Sequence, residues 1–161
     1  MEQLDRQHRD VIQGILSGAN DMTLATVRDD GYPQATTVSF VARGLTLYAG
    51  IGRDSQKAHN ISHNDKVSLT VDLPYGDWSE IRGVSLAGHA ALVEDAAEAA
   101  AVQEEFLHKF PAIKRMIEST GTQPWEEAVF LRIEPEVISL LDYRQGFGHT
   151  ELYEVPPEWR H

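Results

Sequence analysis

The chain has 161 residues, of which 42% are hydrophobic and 24% are charged, and these values are typical of a single globular domain with an ordinary core. Its 14 lysine and arginine residues against 25 aspartate and glutamate residues give a formal net charge of -11, which argues against nucleic acid or an anionic membrane as a partner. The absence of cysteine excludes disulfides, thiol nucleophiles and cysteine-ligated clusters, and it fits a reducing compartment.

The predicted elements begin with a helix over residues 3–17, in which Val11, Ile12, Ile15 and Leu16 share one face and Gly18 ends the helix. After this helix the hydrophobic period changes to two. The predicted strands cover residues 22–27, 33–41, 45–50, 66–73, 84–93, 128–133 and 137–141. Helices are predicted from the Ser55 cap to residue 63, over 96–110 and over 111–118, and a polar tail containing Gly146, Phe147 and Gly148 follows the last strand.

Six or seven strands joined mostly by short turns favour antiparallel pairing and closure into a barrel. We find no repeat, linker or low-complexity tract, so one domain over residues 1–161 is expected. The first residues carry no apolar signal segment, and no run approaches the roughly 18 apolar residues that span a membrane. A cytoplasmic protein is therefore expected.

The segment from Arg53 to Lys57 is a candidate phosphate site. Ser55 is predicted to cap a helix, and the first turn of a helix leaves backbone N–H groups unpaired at the positive end of its dipole. A phosphate there would also meet the Ser55 hydroxyl, the backbone near Gln56 and the ammonium group of Lys57. The alternative is a capped surface helix with two solvated basic residues.

The two strands before this segment carry small and hydroxyl-bearing residues. On the first of them, Thr37 and Ser39 share one face while Thr36 and Val38 share the other. The next strand ends at residues 49 and 50 in Ala-Gly, which leaves room for a planar ligand against the backbone. Taken alone, threonine-rich strands are also ordinary sheet surface.

Together these segments resemble the pyridoxamine 5′-phosphate oxidase-like family of FMN-binding split β-barrels. The matching segments read TLATVRDDGYP, QATTVSFV, LTLYAGIG and RDSQKAHNISHNDKVSLTV. The resemblance extends more weakly through GVSLAGHAALVED and VFLRIEPEVISLLDY, so it covers most of the chain. It implies a mainly β fold, an antiparallel six- to seven-stranded split β-barrel (Greek key) with flanking helices.

The resemblance also implies a cofactor and a set of site residues. The flavin of FMN would be lined by Thr36, Thr37, Val38 and Ser39 and approached by Ala49 and Gly50. Its phosphate would lie at the basic segment, on Arg53, Ser55, Gln56 and Lys57. The expected assembly is a homodimer with the cofactor at the subunit interface, and the expected activity is that of an oxidoreductase acting on a small molecule. The flavin carries the electron chemistry, so no catalytic side chain is named.

Two departures argue against the vitamin-forming oxidases themselves. Those enzymes carry basic residues at both ends of the second-strand motif, where this chain has Gln34 and Ser39. Their C-terminal Arg-Leu-Ala-Pro motif is also missing here.

Three alternatives to an FMN oxidoreductase stay open on the same scaffold. The segment GFGHTELYEV, residues 146–155, resembles the Gly-Phe-Gly segment of haem-utilisation split barrels, with His149 in place of the usual arginine. The other two alternatives are a deazaflavin-dependent reductase and a flavin-binding protein without turnover.

Histidines and tryptophans supply the remaining candidates. His59 and His63 stand four residues apart on the short helix, a spacing that can chelate a metal, but a polar helix face explains both and we predict no metal site. His149 is either an axial haem ligand or part of a flexible glycine-flanked tail, and the tail is favoured. Trp78 and Trp125 each stand near a proline in loop-like sequence, and either one would pack over a flavin or in a core or dimer contact.

Overall fold

The structure is a computed structural model that describes residues 1–160 of the chain. The nine strands are β1 (Glu2–Gln3), β2 (Asp21–Val27), β3 (Pro33–Ser39), β4 (Val41–Arg43), β5 (Thr46–Gly52), β6 (Lys66–Asp72), β7 (Arg82–Leu92), β8 (Ala128–Asp142) and β9 (Thr150–Glu154). The four α-helices are α1 (Arg6–Gly18), α2 (Gln56–His63), α3 (Ala96–Lys109) and α4 (Pro111–Thr120).

The strands form one sheet in the order β1-β9-β8-β7-β6-β2-β3, and β5 joins it by pairing with both β4 and β8. All pairs are antiparallel except β1 with β9. Strands β3 and β5 do not pair with each other, so the barrel stays open there. Helix α2 packs against β2 and β5 beside this opening and reaches β3 through side-chain hydrogen bonds. The predicted mainly β split barrel with flanking helices is confirmed.

Alternating side chains on the strands produce the main core inside the barrel. On β2, Met22 and Leu24 point inward, and on β6 the inward residues are Val67, Leu69 and Val71, which are all less than 5% exposed. A second apolar cluster lies outside the barrel, where α3 covers the other face of β5 and β8. Its buried members are Val41, Tyr48, Val93, Val102, Phe106 and Phe130.

The strand β8 corrects the sequence prediction of two strands separated by Glu134, Pro135 and Glu136. It is continuous over 15 residues and pairs with β7 along most of its length. The register shifts at one point, where Gly88 lies opposite Pro135 and Ala87 opposite Val137. A bulge of this kind accommodates proline because one residue drops out of the hydrogen-bond ladder. The proline therefore bends the strand without ending it.

The C-terminal region also differs from the predicted tail. Gly146 and Gly148 have positive φ angles of 137° and 68°, and they turn the chain back into β9. That strand pairs with β8, and Tyr153 and Val155 are 4% and 0% exposed. The alternating Tyr153 and Val155 fill the end of the barrel, which is why the segment is ordered as a strand.

No helix among residues 1–160 is long and apolar enough to cross a membrane.

The end of β8 carries an ion pair with a predicted effect on stability. Both carboxylate oxygens of Asp142 accept from the Arg144 side chain, at 2.9 Å from Nε and 2.8 Å from a terminal nitrogen. These bonds lower the pKa of Asp142 from 3.8 to about 2. Because the folded-state pKa is the lower one, the pair stabilises the fold above about pH 4, and the benefit is lost as the pH falls toward 2.

We therefore expect Asp142→Asn to lower the free energy of unfolding by about 1–2 kcal/mol at neutral pH. Urea unfolding of both proteins at several pH values checks this. The difference between them should shrink by roughly half at about pH 3. At that pH Asp142 of the parent is mostly protonated in the unfolded state and begins to be protonated in the folded state, so the ion pair contributes less. A difference that is independent of pH would contradict the role of this ion pair.

Candidate functional site

The N-terminus of α2 lies beside the opening in the barrel. The Oγ of Ser55 accepts from the backbone N–H of Ala58 at 3.2 Å, which confirms Ser55 as the predicted cap. The first intrahelical donor is the His59 N–H, which donates to the Ser55 carbonyl at 3.1 Å. The N–H groups of Gln56 and Lys57 come before it, have no intrahelical acceptor and point out of the helix end. Backbone N–H groups and the helix dipole therefore make this end attractive to an anion.

Lys57 adds a positive charge to this helix end. Its half-buried ammonium group donates to the Thr36 Oγ1 at 2.9 Å, across 21 residues of sequence. Among the ion pairs formed by residues 1–160, none involves Lys57. The fold thus holds a lysine in place through a neutral hydroxyl and leaves its charge available, in a chain of net charge -11.

A buried polar network fixes α2 to the sheet. The Asn60 side chain is 0% exposed; its Nδ2 donates to Thr26 Oγ1 at 3.0 Å and to Gln34 Oε1 at 3.1 Å. Its Oδ1 accepts from Gln56 Nε2 at 2.7 Å. Every polar group of this amide has a partner, so the network stabilises one position of the helix.

This network was not predicted from the sequence, although one signal was present. Asn60 stands between the apolar Ala58 and Ile61 on the buried side of α2, where an unpaired amide would be costly. The network also fixes the positions of Gln56 and Gln34, which the sequence had singled out. The Gln56 side chain is turned toward Asn60, so only its backbone N–H faces the helix end. Gln34, which stands where the vitamin-forming oxidases have a basic residue, likewise accepts its hydrogen bond from Asn60.

The two faces of β3 divide the four predicted flavin-lining residues. Thr36 and Val38 lie opposite Leu24 and Met22, on the half-buried side that faces α2. Thr37 and Ser39 are exposed on the other side, and the Ser39 hydroxyl donates to Asp21 Oδ1 at 3.0 Å. Thr36 is thus adjacent to Lys57, whereas Thr37 faces away from it.

A cavity of about 260 Å³ adjoins the end of β3 and the exposed Gly50 of β5, at the edge of the second apolar cluster. It is lined by Val38, Ser39, Gly50, Phe106, Ile113, Pro124, Trp125, Ala128 and Phe130. Gly50 adds no side chain to this wall, and a Cβ built there would be in ordinary contact with the Phe130 ring, at 3.8 Å. Ala49, by contrast, is 0% exposed and faces the core, so only its backbone can approach a ligand.

The two candidate tryptophans, Trp78 and Trp125, lie in different parts of the fold. Trp125 lines this cavity and packs against the second apolar cluster, which is the core contact that the sequence left open as one of its possible roles. Trp78 lies elsewhere, 59% exposed and stacked on Phe147 with ring centroids 5.1 Å apart. A larger cavity of about 550 Å³ lies between α1, β4 and α3, and none of the predicted site residues lines it.

Arg53 and His149, the remaining candidates from the sequence, lie in loops. Arg53 is exposed in the loop between β5 and α2, and its backbone N–H donates to the Glu127 carbonyl at 3.4 Å. Gly52 is next to the cap, where an added Cβ would come within 3.6 Å of the Ser55 Cβ. His149 belongs to the turn before β9; its Nε2 is enclosed and lies 3.7 Å from Glu151 Oε1.

Comparison with known proteins identifies the family of the chain. The family model for pyridoxamine 5′-phosphate oxidase matches residues 6–141, so the chain belongs to the pyridoxamine 5′-phosphate oxidase family. No curated protein matches the chain.

Several solved structures share the fold at low sequence identity. A haem-binding protein from Mycobacterium smegmatis superposes with a TM-score of 0.75 at 20% identity, over 94% of this chain and 59% of that one. The protein Rv2991 from Mycobacterium tuberculosis gives 0.73 at 22% identity, over 94% and 96%. HutZ, the haem storage protein from Vibrio cholerae, gives 0.63 at 19% identity, over 79% and 89%. The chain thus spans about three-fifths of the length of the first of these proteins.

Proposed function

We propose that the chain binds FMN at the opening of the barrel and acts as a flavin-dependent oxidoreductase. The observation that carries the proposal is Lys57, whose ammonium group is held by Thr36 beside a capped helix end and forms no ion pair within residues 1–160. A phosphate at this point would meet the lysine charge and two backbone N–H groups at once. Arg53 is close enough in sequence to add a second charge from the loop.

The apolar cavity fits the other end of such a ligand. Thr36 and Val38 are two residues apart on the same face of β3, which corresponds to about 7 Å along the strand. The phosphate end and the cavity therefore follow one another along β3. Gly50, Trp125 and Phe130 provide a flat and aromatic surface suited to a ring system.

A second copy of the chain is proposed to complete the site. The cavity of about 260 Å³ is smaller than the roughly 300–1,000 Å³ usual for small-molecule sites. A partner subunit across the opening would cover the exposed side of the ligand, in the homodimer that the family resemblance implies. Size-exclusion chromatography coupled to light scattering reports the assembly directly.

In the proposed reaction, bound FMN supplies the transfer of electrons. The residues of the chain bind its phosphate, orient the ring and exclude water from one side of it. No residue that lines the cavity, within the part of the chain described, carries a group that titrates near neutral pH. Any proton exchanged with the substrate therefore comes from solvent, from the substrate itself or from the partner subunit. Gln34 and Ser39 in place of basic residues disfavour pyridoxamine phosphate as that substrate.

Haem is the second candidate ligand, because two proteins of the same fold are a haem-binding protein and a haem storage protein. In this chain the proposed axial ligand, His149, has its Nε2 enclosed near Glu151. That nitrogen would have to be uncovered before it could bind iron, whereas the Lys57 site is already assembled. This difference favours FMN.

Identification of the small molecule released on denaturing the purified protein tests the proposal. FMN should be found by its absorbance and mass, and the cofactor-free protein should take FMN up again. Bleaching by NADH or NADPH and reoxidation by an added acceptor would then establish turnover rather than storage. A protein that fails to bind FMN but gives a Soret band with haem would overturn the flavin proposal in favour of the haem alternative.

A further inference from the structure

Three exposed side chains from two separate elements meet at the surface between α2 and the β2–β3 turn. Asp29 lies on the turn between β2 and β3, and His59 and His63 lie one helical turn apart on α2. The Asp29 Oδ2 is 2.9 Å from the His59 Nε2, and the two imidazole rings have centroids 4.6 Å apart. One ligand atom from each residue lies within 4.8 Å of the other two.

The turn is built so that Asp29 faces the helix. Its ends are closed by the Arg28 N–H donating to the Tyr32 carbonyl at 2.9 Å, and Gly31 supplies a positive φ of 86°. The neighbouring Asp30 is used within the turn, since it accepts from the Tyr32 N–H at 3.2 Å and from Arg28 Nε at 3.3 Å. Asp29 has no such bond inside the turn and is directed to His59 instead.

The helix side of the cluster is fixed by the Asn60 network described above. Asn60 lies between the two histidines and is held by Thr26 and Gln34, which flank the same turn on β2 and β3. The buried Asn60 network therefore joins α2 to the strands that flank the turn, and the three side chains meet at the surface above this network. Rigid support of this kind is what a metal site needs from its surroundings.

We propose that Asp29, His59 and His63 form a binding site for a divalent transition-metal ion of the zinc class. Two imidazole nitrogens and one carboxylate oxygen suit Zn²⁺, Co²⁺ or Ni²⁺, whereas Ca²⁺ and Mg²⁺ prefer oxygen ligands alone. With bonds of about 2.1 Å, the ligand atoms of a tetrahedral zinc site are roughly 3.4 Å apart. The three ligand atoms already lie within 4.8 Å of one another, and all three residues are exposed, so water can supply a fourth ligand.

The site is independent of the proposed flavin. Lys57 precedes His59 by two residues, which places the two side chains about 200° apart around the helix. A bound metal would join the β2–β3 turn to the C-terminal half of α2. It would bind only the folded arrangement, because Asp29 and His59 are 30 residues apart in the chain, and it would therefore stabilise the fold.

The chain offers a matched control for a simple histidine–aspartate pair. His8 Nδ1 lies 2.9 Å from Asp5 Oδ1 and Oδ2 at the start of α1, where the aspartate is as exposed as Asp29 and the histidine is partly buried. This pair lacks a second histidine and was not found as a three-ligand cluster among the described residues. If a hydrogen-bonded histidine and aspartate were enough for zinc, both places would bind it.

Zn²⁺ titration of tag-free, EDTA-treated protein by calorimetry tests the site, with Co²⁺ absorption as a report on the ligands. We expect one Zn²⁺ per chain and a higher melting temperature in its presence. Loss of a residue that only supports a ligand typically weakens metal binding about 10- to 100-fold. The three residues here would be ligands themselves, so His59→Asn, His63→Asn and Asp29→Asn should each weaken Zn²⁺ binding at least tenfold. His8→Asn should bind as the parent does.

The proposal would be overturned if the parent protein bound no Zn²⁺. It would also be overturned if His63→Asn and Asp29→Asn both bound Zn²⁺ as tightly as His8→Asn does. The side chains of Asp29, His59 and His63 are exposed, so circular dichroism and the melting temperature of these three variants without metal should match those of the parent.

Discussion

Replacing Lys57 by alanine is expected to weaken FMN binding about 10- to 100-fold. A hydrogen bond to a charged group contributes about 1.5–3 kcal/mol, and the lysine is the one half-buried cation at the proposed phosphate position. Its loss would leave the phosphate with the backbone N–H groups of α2 and the exposed Arg53. Fluorescence titration of the cofactor-free protein with FMN measures the effect.

Riboflavin, which lacks the phosphate, gives the sharpest control. Its affinity should be nearly the same for the parent and for Lys57→Ala, because the contact that is removed does not involve the ring. Lys66→Ala removes an exposed lysine from the start of β6 and should leave FMN binding unchanged. An equal loss of riboflavin and FMN affinity would instead mean that the variant disturbs the whole site, and unchanged FMN affinity would place the phosphate elsewhere.

The local features of the proposed phosphate site could be predicted from sequence because they depend on neighbouring residues. Ser55 caps α2 through a bond to Ala58, three residues on, and the alternation in β6 fixes which side chains are buried. These patterns follow from the periods of helix and strand. The family resemblance then added the cofactor, which no local pattern contains.

The contacts across the barrel could not be predicted in the same way. Lys57 reaches Thr36 over 21 residues, and Asn60 reaches Thr26 over 34, and both pairs exist only because α2 packs in the opening of the barrel. The alternation in β3 separated Thr36 from Thr37 but could not say which of them faces the helix. The two histidines were visible as a pair, whereas Asp29 is brought to them by the β2–β3 turn.

The predicted break in β8 was wrong for a related reason. Glu134, Pro135 and Glu136 have the composition of a turn, yet the partner strand β7 accommodates them through a bulge at Gly88. A sequence pattern read one strand at a time contains no information about the strand opposite. The continuity of β8 matters for the site, because its first residues pair with β5 and place Phe130 beside Gly50.

Gly88→Ala is expected to lower the free energy of unfolding by about 3 kcal/mol or more. A Cβ at this position would overlap the carbonyl oxygen of Glu134 and come within 2.9 Å of its carbonyl carbon and 3.0 Å of the Pro135 Cα. These are backbone atoms of the paired strand, so no side-chain rotation can relieve the overlap. Urea unfolding monitored by circular dichroism measures the change.

Gly14→Ala is the matched substitution and should have the opposite sign. Gly14 is exposed in the middle of α1, and a Cβ there would meet nothing within 4 Å. Alanine should therefore stabilise the protein by about 0.5–1 kcal/mol through its higher helix propensity. If Gly88→Ala were as stable as the parent, the result would contradict the short distance between β7 and β8 at the bulge. The continuous strand that carries Phe130 into the proposed flavin site would then need another explanation.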